Sequence, residues 1–182
     1  MRRQVLTLSE KTFRDTVGRL QEKAEAAGFA PDAVVSIRRG GEFVGRLMFP
    51  GKPHYAVTLQ RPGTRRKNRM LKAILRSMPR FVLDSLRIFE AWWLSRKSHK
   101  TVSPANFTLP ELNQSARILI VDDAVDSGAT LASVFNAVRA RYPGSDVMTA
   151  VITVTTERPL IQPDFSIYNN LTLIRFPWSI DS

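Results

Sequence analysis

The stretch that decides the fold is Ile118 to Leu131, which reads ILIVDDAVDSGATL. Four apolar residues run directly into two adjacent carboxylates, Asp122 and Asp123, and an apolar-periodic segment follows the small residues after them. This pattern predicts a buried strand, a loop and a helix. Because ligands of open α/β sheets bind beyond the carboxyl ends of the strands, the stretch also predicts a binding site.

The loop after the two acids has the composition of a phosphate site. Backbone N–H groups at a helix N-terminus are unpaired and carry partial positive charge, so they hold an anion well. Glycine allows a close approach of the backbone, and the Ser and Thr hydroxyls add donors. No Lys follows the glycine and no GxGxxG fingerprint is present, which excludes the ATP-type P-loop and the dinucleotide motif. The residues of this predicted cradle are Asp126, Ser127, Gly128, Ala129 and Thr130.

The two acids lie beside this cradle, where carboxylates suit neutral sugar hydroxyls or a hydrated Mg²⁺. A phosphorylated sugar would satisfy both halves of the motif. The alternative is that Asp122 and Asp123 only cap the turn that follows them.

Strands and helices alternate along the chain, which predicts a parallel sheet covered on both faces. The predicted strands and helices, in chain order, are helix Ser9 to Ala27, strand Ala33 to Ile37, a short helix over EFVGRLMF, strand His54 to Leu59, strand Arg117 to Val121, helix Ala129 to Arg141, strand Asp146 to Thr155, and short strands at Phe165 to Tyr168 and Leu171 to Arg175.

The basic charge of the chain is concentrated in one segment. Between Arg61 and Lys100 there are twelve Lys or Arg and two acids, which accounts for +10 of the total net charge of +11. Apolar residues at helical spacing between 70 and 94 predict a helical insertion at about 61–115 within a single domain, 1–182. The chain has no cysteine, no signal-like start and no apolar run of about 18 residues, so we expect a cytoplasmic location.

The stretch quoted above contains, in order, an apolar strand, two acids, two apolar residues and the sequence D-[ST]-G-x-T. This order resembles the phosphoribosyl-pyrophosphate motif of type I phosphoribosyltransferases. VVSIRRGGEFVGRLM is similar to the first-strand loop of that family, and TTERPLIQPDFSIYNNLTLIRFPWSID resembles the end of the xanthine–guanine and related 6-oxopurine enzymes. The resemblance implies a parallel sheet flanked by helices with a small hood. It covers residues 1–60 and 116–182.

The resemblance implies transfer of 5-phosphoribosyl from phosphoribosyl pyrophosphate to a nucleobase, with Mg²⁺ as cofactor. The turn of Arg38, Arg39, Gly40 and Gly41 would bind pyrophosphate, often through a cis peptide bond, here Arg38–Arg39; on the residues alone, a plain turn is the alternative. Asp122 and Asp123 would hold the ribose hydroxyls, directly or through the metal, and residues 126–130 would hold the 5′-phosphate. Ala124 is also expected to bind phosphoribosyl pyrophosphate. Asp126 matches the position suggested to take or share a purine proton.

Base recognition departs from the family pattern. The Lys that the purine enzymes offer to the exocyclic oxygen is missing between Val151 and Glu157. The tail offers Leu173, Ile174, Tyr168 and Trp178 in the region of the base, with packing as the alternative role of Trp178. A 6-oxopurine is the leading acceptor, and another base or none remains open.

The insertion replaces the family's flexible active-site loop. Its basic stretch, Arg61 to Lys67, either meets pyrophosphate or is a solvated linker. Its apolar face is expected to pack on the domain or form a homodimer or higher homo-oligomer, with peripheral membrane contact and nucleic-acid binding as further alternatives.

Two other functions remain open at this stage. A regulatory protein on the same fold would sense phosphoribosyl pyrophosphate or a nucleotide and contact nucleic acid or a partner through the insertion. A degenerate enzyme would carry out a different reaction, such as hydrolysis.

Overall fold

The computed structural model describes residues 4–58, 111–169 and 172–179. The predicted insertion at about 61–115, with its helices, basic stretch and apolar face, falls outside these residues except for 111–115. These five residues have no regular secondary structure apart from a turn at 114–115. No helix in the described ranges is long and apolar enough to span a bilayer.

The described residues form seven strands and three helices. In chain order they are β1 (Gln4–Thr7), α1 (Glu10–Ala26), β2 (Ala33–Ile37), α2 (Gly40–Met48), β3 (His54–Val57), β4 (Arg117–Val125), α3 (Ala129–Arg141), β5 (Asp146–Val154), β6 (Phe165–Tyr168) and β7 (Thr172–Arg175).

Five strands make one parallel sheet in the order β3-β2-β4-β5-β6. Helices cover both faces of this sheet. Consecutive residues at the start of β4 are therefore all apolar. Its alternate residues divide between two cores: Leu119 and Val121 pack with α1 and α2, and Ile118 and Ile120 pack with α3. The predicted α/β class with helices on both faces of a parallel sheet is confirmed.

Strand β4 extends past the boundary predicted at Val121. It includes both acids and ends at Val125, because β5 pairs with it as far as Val125 and Val154. The prediction that Asp122 and Asp123 stand after the strand is therefore wrong. They are its sixth and seventh residues, and their backbone is fixed by the sheet.

A second, two-stranded sheet forms the hood. Strand β1 pairs in parallel with β7, with Leu6 opposite Ile174, and the Leu8 N–H continues the pairing by donating to the Arg175 carbonyl at 2.9 Å. The Thr153 hydroxyl donates to the Thr172 carbonyl at 3.2 Å and ties the hood to β5. The tail strand was predicted, whereas β1 was not.

The other predicted boundaries lie within a few residues of the observed ones. Ser9 is the N-cap of α1, accepting from the Thr12 N–H at 3.2 Å, and the helix ends just before Gly28, which has a φ of +75°. Such a positive φ is the conformation in which glycine commonly ends a helix.

Candidate active site

The candidate site lies where the chain direction across the sheet reverses. Strand β2 leads through α2 to β3 on one side, and β4 leads through α3 to β5 on the other. The crevice between the carboxyl ends of β2 and β4 is therefore the topological switch point, the usual ligand position in such sheets. Two loops meet there: the first loop, residues 38–41, and the second loop, residues 126–130.

The first loop packs directly on the two acids. The Arg38–Arg39 peptide bond is cis, as expected. A Cβ on Gly40 would overlap the carboxylate of Asp123, and a Cβ on Gly41 would lie 2.6 Å from the Val121 carbonyl oxygen. Real Cβ atoms do not approach other atoms so closely, so a side chain at Gly40 would displace the Asp123 carboxylate and one at Gly41 would displace the β4 backbone. The structure thus joins the RRGG turn and the acid pair into one surface.

The two arginines of the first loop differ in their partners. Arg38 Nε lies 3.4 Å from Glu42 Oε2, and Arg46 Nη2 donates to Glu42 Oε1 at 2.9 Å. The hydrogen bond from Arg46 chiefly lowers the pKa of Glu42, with help from the charges of Arg38 and Arg46 and against a smaller effect of burial. Arg39 is exposed and makes no ion pair with any residue that the structure describes. Its guanidinium is available to an anionic ligand.

The acids are held by their own backbone. Asp122 is 8% exposed and its Oδ1 accepts from the Asp123 N–H at 2.9 Å. Asp123 Oδ1 accepts from the Ala124 N–H at 3.0 Å. Burial raises the pKa of Asp123, against the opposing effect of hydrogen bonds with the Asp122 side chain and with the Asp123 and Ala124 backbone. A desolvated carboxylate of this kind gains from a cation or from hydroxyl donors.

This donor set fits Mg²⁺. Magnesium prefers hard oxygen ligands and is usually bound through one or two carboxylates together with substrate phosphates and water. Asp122 and Asp123 provide two such carboxylates beside a loop with the geometry for phosphate. Within residues 4–58, 111–169 and 172–179 no group of three or more acidic, His or Cys side chains gathers at one point.

The second loop turns sharply into α3. Gly128 has a φ of +77°, and α3 begins at the next residue, so the first N–H groups of that helix lie beside the loop and have no partner within the helix. Ser127 Oγ accepts from the Ala129 N–H at 3.4 Å, a long contact. Thr130 is half-buried in the first turn. The predicted phosphate cradle therefore has the strand–turn–helix context that the motif requires.

A segment after β5 braces the second loop, and sequence reasoning did not assign it this role. The Leu160 N–H donates to the Ser127 carbonyl at 2.9 Å, and a Cβ on Gly128 would lie 2.9 Å from the Leu160 nitrogen and 3.1 Å from Pro159 Cβ. The RPL motif gave only a family resemblance, with no sign of contact to the loop.

Asp126 is exposed in the second loop, and its Oδ1 lies 3.1 Å from the hydroxyl of Thr155. Thr155 was not predicted as a site residue. A threonine at the end of a strand is common, so nothing in the sequence marked it.

The tail residues predicted to contact a base lie in or beside the hood. Tyr168 and Ile174 pack against the α1–α2 core, and Leu173 is partly buried in β7. Trp178 packs against the same core, among aromatic rings. The Phe43 and Phe176 rings stack on it with centroids at 4.7 and 4.9 Å, and Phe13 meets it edge-on at 4.9 Å.

No protein-family model and no curated protein matches the sequence. The structure, in contrast, matches solved proteins over nearly its whole length. It is similar to a purine phosphoribosyltransferase from Pyrococcus horikoshii Ot3, with 17% identity, a TM-score of 0.63 and coverage of 96% of this chain and 94% of that one.

Two further structures match equally well. Xanthine-guanine-hypoxanthine phosphoribosyltransferase from Helicobacter pylori shows 17% identity and a TM-score of 0.64, over 97% of this chain and 95% of that one. A hypothetical protein from Neisseria gonorrhoeae with bound ppGpp shows 18% identity and a TM-score of 0.64, over 98% and 91%. The resemblance drawn from the sequence is confirmed at the level of structure: the chain has the fold of the type I phosphoribosyltransferases.

Proposed function

We propose that this protein transfers the 5-phosphoribosyl group of phosphoribosyl pyrophosphate to a nucleobase and releases pyrophosphate. The observation that carries the proposal is the joining of three elements at the switch point: the first loop, the acid pair and the second loop. Phosphoribosyl pyrophosphate has a phosphate at one end, a sugar in the middle and a pyrophosphate at the other. These three parts would match the second loop, the acid pair and the first loop.

The second loop would hold the 5′-phosphate. Its ligands are the N–H groups of the first turn of α3 and the hydroxyls of Ser127 and Thr130. The acid pair would hold the ribose 2′- and 3′-hydroxyls, because ionised carboxylates accept hydrogen bonds strongly.

The first loop would hold the pyrophosphate. Transfer gives the ribosyl ring cationic character while negative charge grows on the leaving group. Arg39, without a partner among the described residues, would provide a fixed positive charge there. Bound Mg²⁺ would neutralise part of the charge on pyrophosphate, with Asp122 and Asp123 as the protein ligands.

Asp126 would accept or share the proton that the base loses, because its carboxylate is exposed at the mouth of the second loop. A 6-oxopurine is the leading acceptor. Support comes from the purine and xanthine-guanine-hypoxanthine enzymes that share the fold. For contact with the base we propose Tyr168, Leu173 and Ile174, with Trp178 in a supporting role because aromatic rings already pack on it.

The test is a screen for pyrophosphate release with phosphoribosyl pyrophosphate, Mg²⁺ and each common nucleobase. We expect turnover with a 6-oxopurine, reduced roughly 10²- to 10⁴-fold by Asp126→Asn, which is the range for loss of a general base. Asp15→Asn is the matched control, because Asp15 is an exposed aspartate on α1, outside the proposed site. Lack of pyrophosphate release with every base would contradict the proposal.

A second candidate is a nucleotide-sensing regulatory protein on the same fold. Two observations favour it: the region from Val151 to Glu157 has no Lys, and one structural match was solved with bound ppGpp. This candidate predicts nucleotide binding without turnover. It also predicts salt-dependent nucleic-acid binding that is lost on deletion of residues 61–100. Turnover in the screen together with nucleic-acid binding unaffected by the deletion would exclude it.

A further inference from the structure

We propose that Thr155 is a positioning residue for Asp126, an inference that rests on the proposed transfer reaction. Its hydroxyl lies 3.1 Å from Asp126 Oδ1, across from the end of β4. Asp126 is exposed, and an exposed carboxylate samples several rotamers unless a partner fixes one. Thr155 is the partner that the structure provides.

The sheet, and not a loop, sets the position of this hydroxyl. The Thr155 N–H donates to the Val125 carbonyl at 2.8 Å, one residue beyond the last β4–β5 pair, Val125 and Val154. Thr155 thus continues the ladder of the central sheet. A group fixed by a central strand holds its partner more accurately than one carried by a loop.

The hydroxyl has one proton and two acceptors within reach. Asp126 Oδ1 lies at 3.1 Å and the Val125 carbonyl oxygen at 3.3 Å. An ionised carboxylate is the stronger acceptor, so the proton goes to Asp126. Oδ1 is then occupied, and Oδ2, which has no hydrogen bond to any residue the structure describes, is the oxygen presented to the ligand.

Strand β5, which Thr155 directly follows, contains a second threonine bonded to an aspartate, and this pair serves as a control. Thr149 Oγ1 donates to Asp164 Oδ2 at 2.8 Å, and the Thr149 N–H donates to the same oxygen, also at 2.8 Å. Thr149 is fully buried and lies six residues before Thr155, about 20 Å along an extended strand. This bond has the same chemistry but lies far from the crevice.

The experiment compares Thr155→Val, Thr155→Ser and Thr149→Val with wild type, measuring kcat, KM and melting temperature. Thr155→Val keeps the branched shape and removes the hydroxyl. We expect kcat to fall roughly tenfold, since small errors in the placement of a reacting group are costly, with KM for phosphoribosyl pyrophosphate changing less than twofold. Thr155→Ser should restore most of kcat.

Thr149→Val should show the opposite pattern, with a lower melting temperature and an unchanged kcat, because it removes buried hydrogen bonds away from the site. The inference is overturned if Thr155→Val keeps wild-type kcat, or if Thr155→Ser is as slow as Thr155→Val.

If the wild-type protein shows no turnover, the proposed function is refuted. The positioning role of Thr155 can then still be tested without an activity assay. Crystal structures of wild type and Thr155→Val then decide it through the Asp126 side chain. A changed or disordered Asp126 rotamer in the variant supports the inference, and an unchanged, ordered rotamer overturns it.

Discussion

The first and second loops both leave a central strand, enter a helix and contain glycine, yet they need glycine for different reasons. Gly40 and Gly41 have no positive φ; they are glycine because β4 and its two carboxylates leave no room for a Cβ. Gly128 has a φ of +77°, so its backbone conformation alone favours glycine, and the segment around Leu160 adds a close contact. The path of the first loop is thus set by its contact with the two acids of β4, whereas that of the second is set by the turn into α3.

The largest effect is expected for Gly40→Ala, which tests whether the first loop needs glycine because of the acids. Gly40→Ala places a Cβ on the Asp123 carboxylate, so the acid or the turn must move. We expect roughly a hundredfold weaker binding of phosphoribosyl pyrophosphate by calorimetry and a loss of stability of about 1–3 kcal/mol from overpacking. Gly51→Ala is the control, because nothing lies within 4 Å of its added Cβ. Equal affinities of Gly40→Ala and wild type would show that the acids are not part of the site.

The role of Gly128 in the second loop is tested by comparing Gly128→Ala with Gly28→Ala. Both glycines have nearly the same φ, +77° and +75°, and a residue with a Cβ there costs about 1–2 kcal/mol. Only Gly128 also has close neighbours. We therefore expect a larger loss of stability in urea unfolding for Gly128→Ala than for Gly28→Ala, and weaker phosphate binding for Gly128→Ala alone. Equal losses in both variants would mean that the Leu160 contact relaxes freely.

Asp123→Asn should stabilise the ligand-free protein while weakening ligand binding about tenfold, the size of one hydrogen bond to a charged group. Burial raises the folded-state pKa of Asp123 above its ordinary 3.8. The stability that this shift provides is therefore present below about pH 4 and is lost as the pH rises through the raised value. At neutral pH the charged carboxylate costs stability, and Asn removes that cost.

The melting temperature of Asp123→Asn should therefore exceed that of wild type at pH 7, with the difference shrinking toward pH 4. Asp15→Asn, at an exposed position on α1, is the control. A lower melting temperature for Asp123→Asn at pH 7 would indicate that the carboxylate is a structural acceptor.

The smallest expected effect distinguishes the two arginines of the first loop. Arg39→Ala should weaken pyrophosphate binding about threefold, typical of an exposed charge pair, and the difference should shrink as salt is added. Arg38→Ala should have less effect, because its guanidinium is already paired with Glu42. Titrations at two salt concentrations measure both, and a greater loss for Arg38→Ala would reverse the assignment.

Local sequence signals predicted most of the main sheet. The apolar run before Asp122 and the apolar periodicity of α1 and α3 each act within one element, so a single sequence reveals them. The cis bond at Arg38–Arg39 was predicted only through the family resemblance.

The errors involve partners that are distant in sequence. Aspartate disfavours strands, so nothing local indicated that β4 would continue through Asp122 and Asp123; the pairing with β5 decides it. Strand β1 is four residues long and exists because β7 lies beside it. The pairing of Thr155 with Asp126 likewise depends on the register between β4 and β5, which cannot be read from the sequence.

The pairing of β1 with β7 has a consequence for how the chain folds. Gln4 meets Thr172, so this sheet closes a loop containing nearly the whole chain. Contacts of such long sequence separation are entropically expensive and form late, after the central sheet has brought their ends together. We expect the hood to be the last part to fold and the first to open, so that amide hydrogens of β7 exchange faster than those of β4 in native-state hydrogen exchange. During synthesis, β1 would then leave the ribosome well before β7 and would pair only once β7 has emerged.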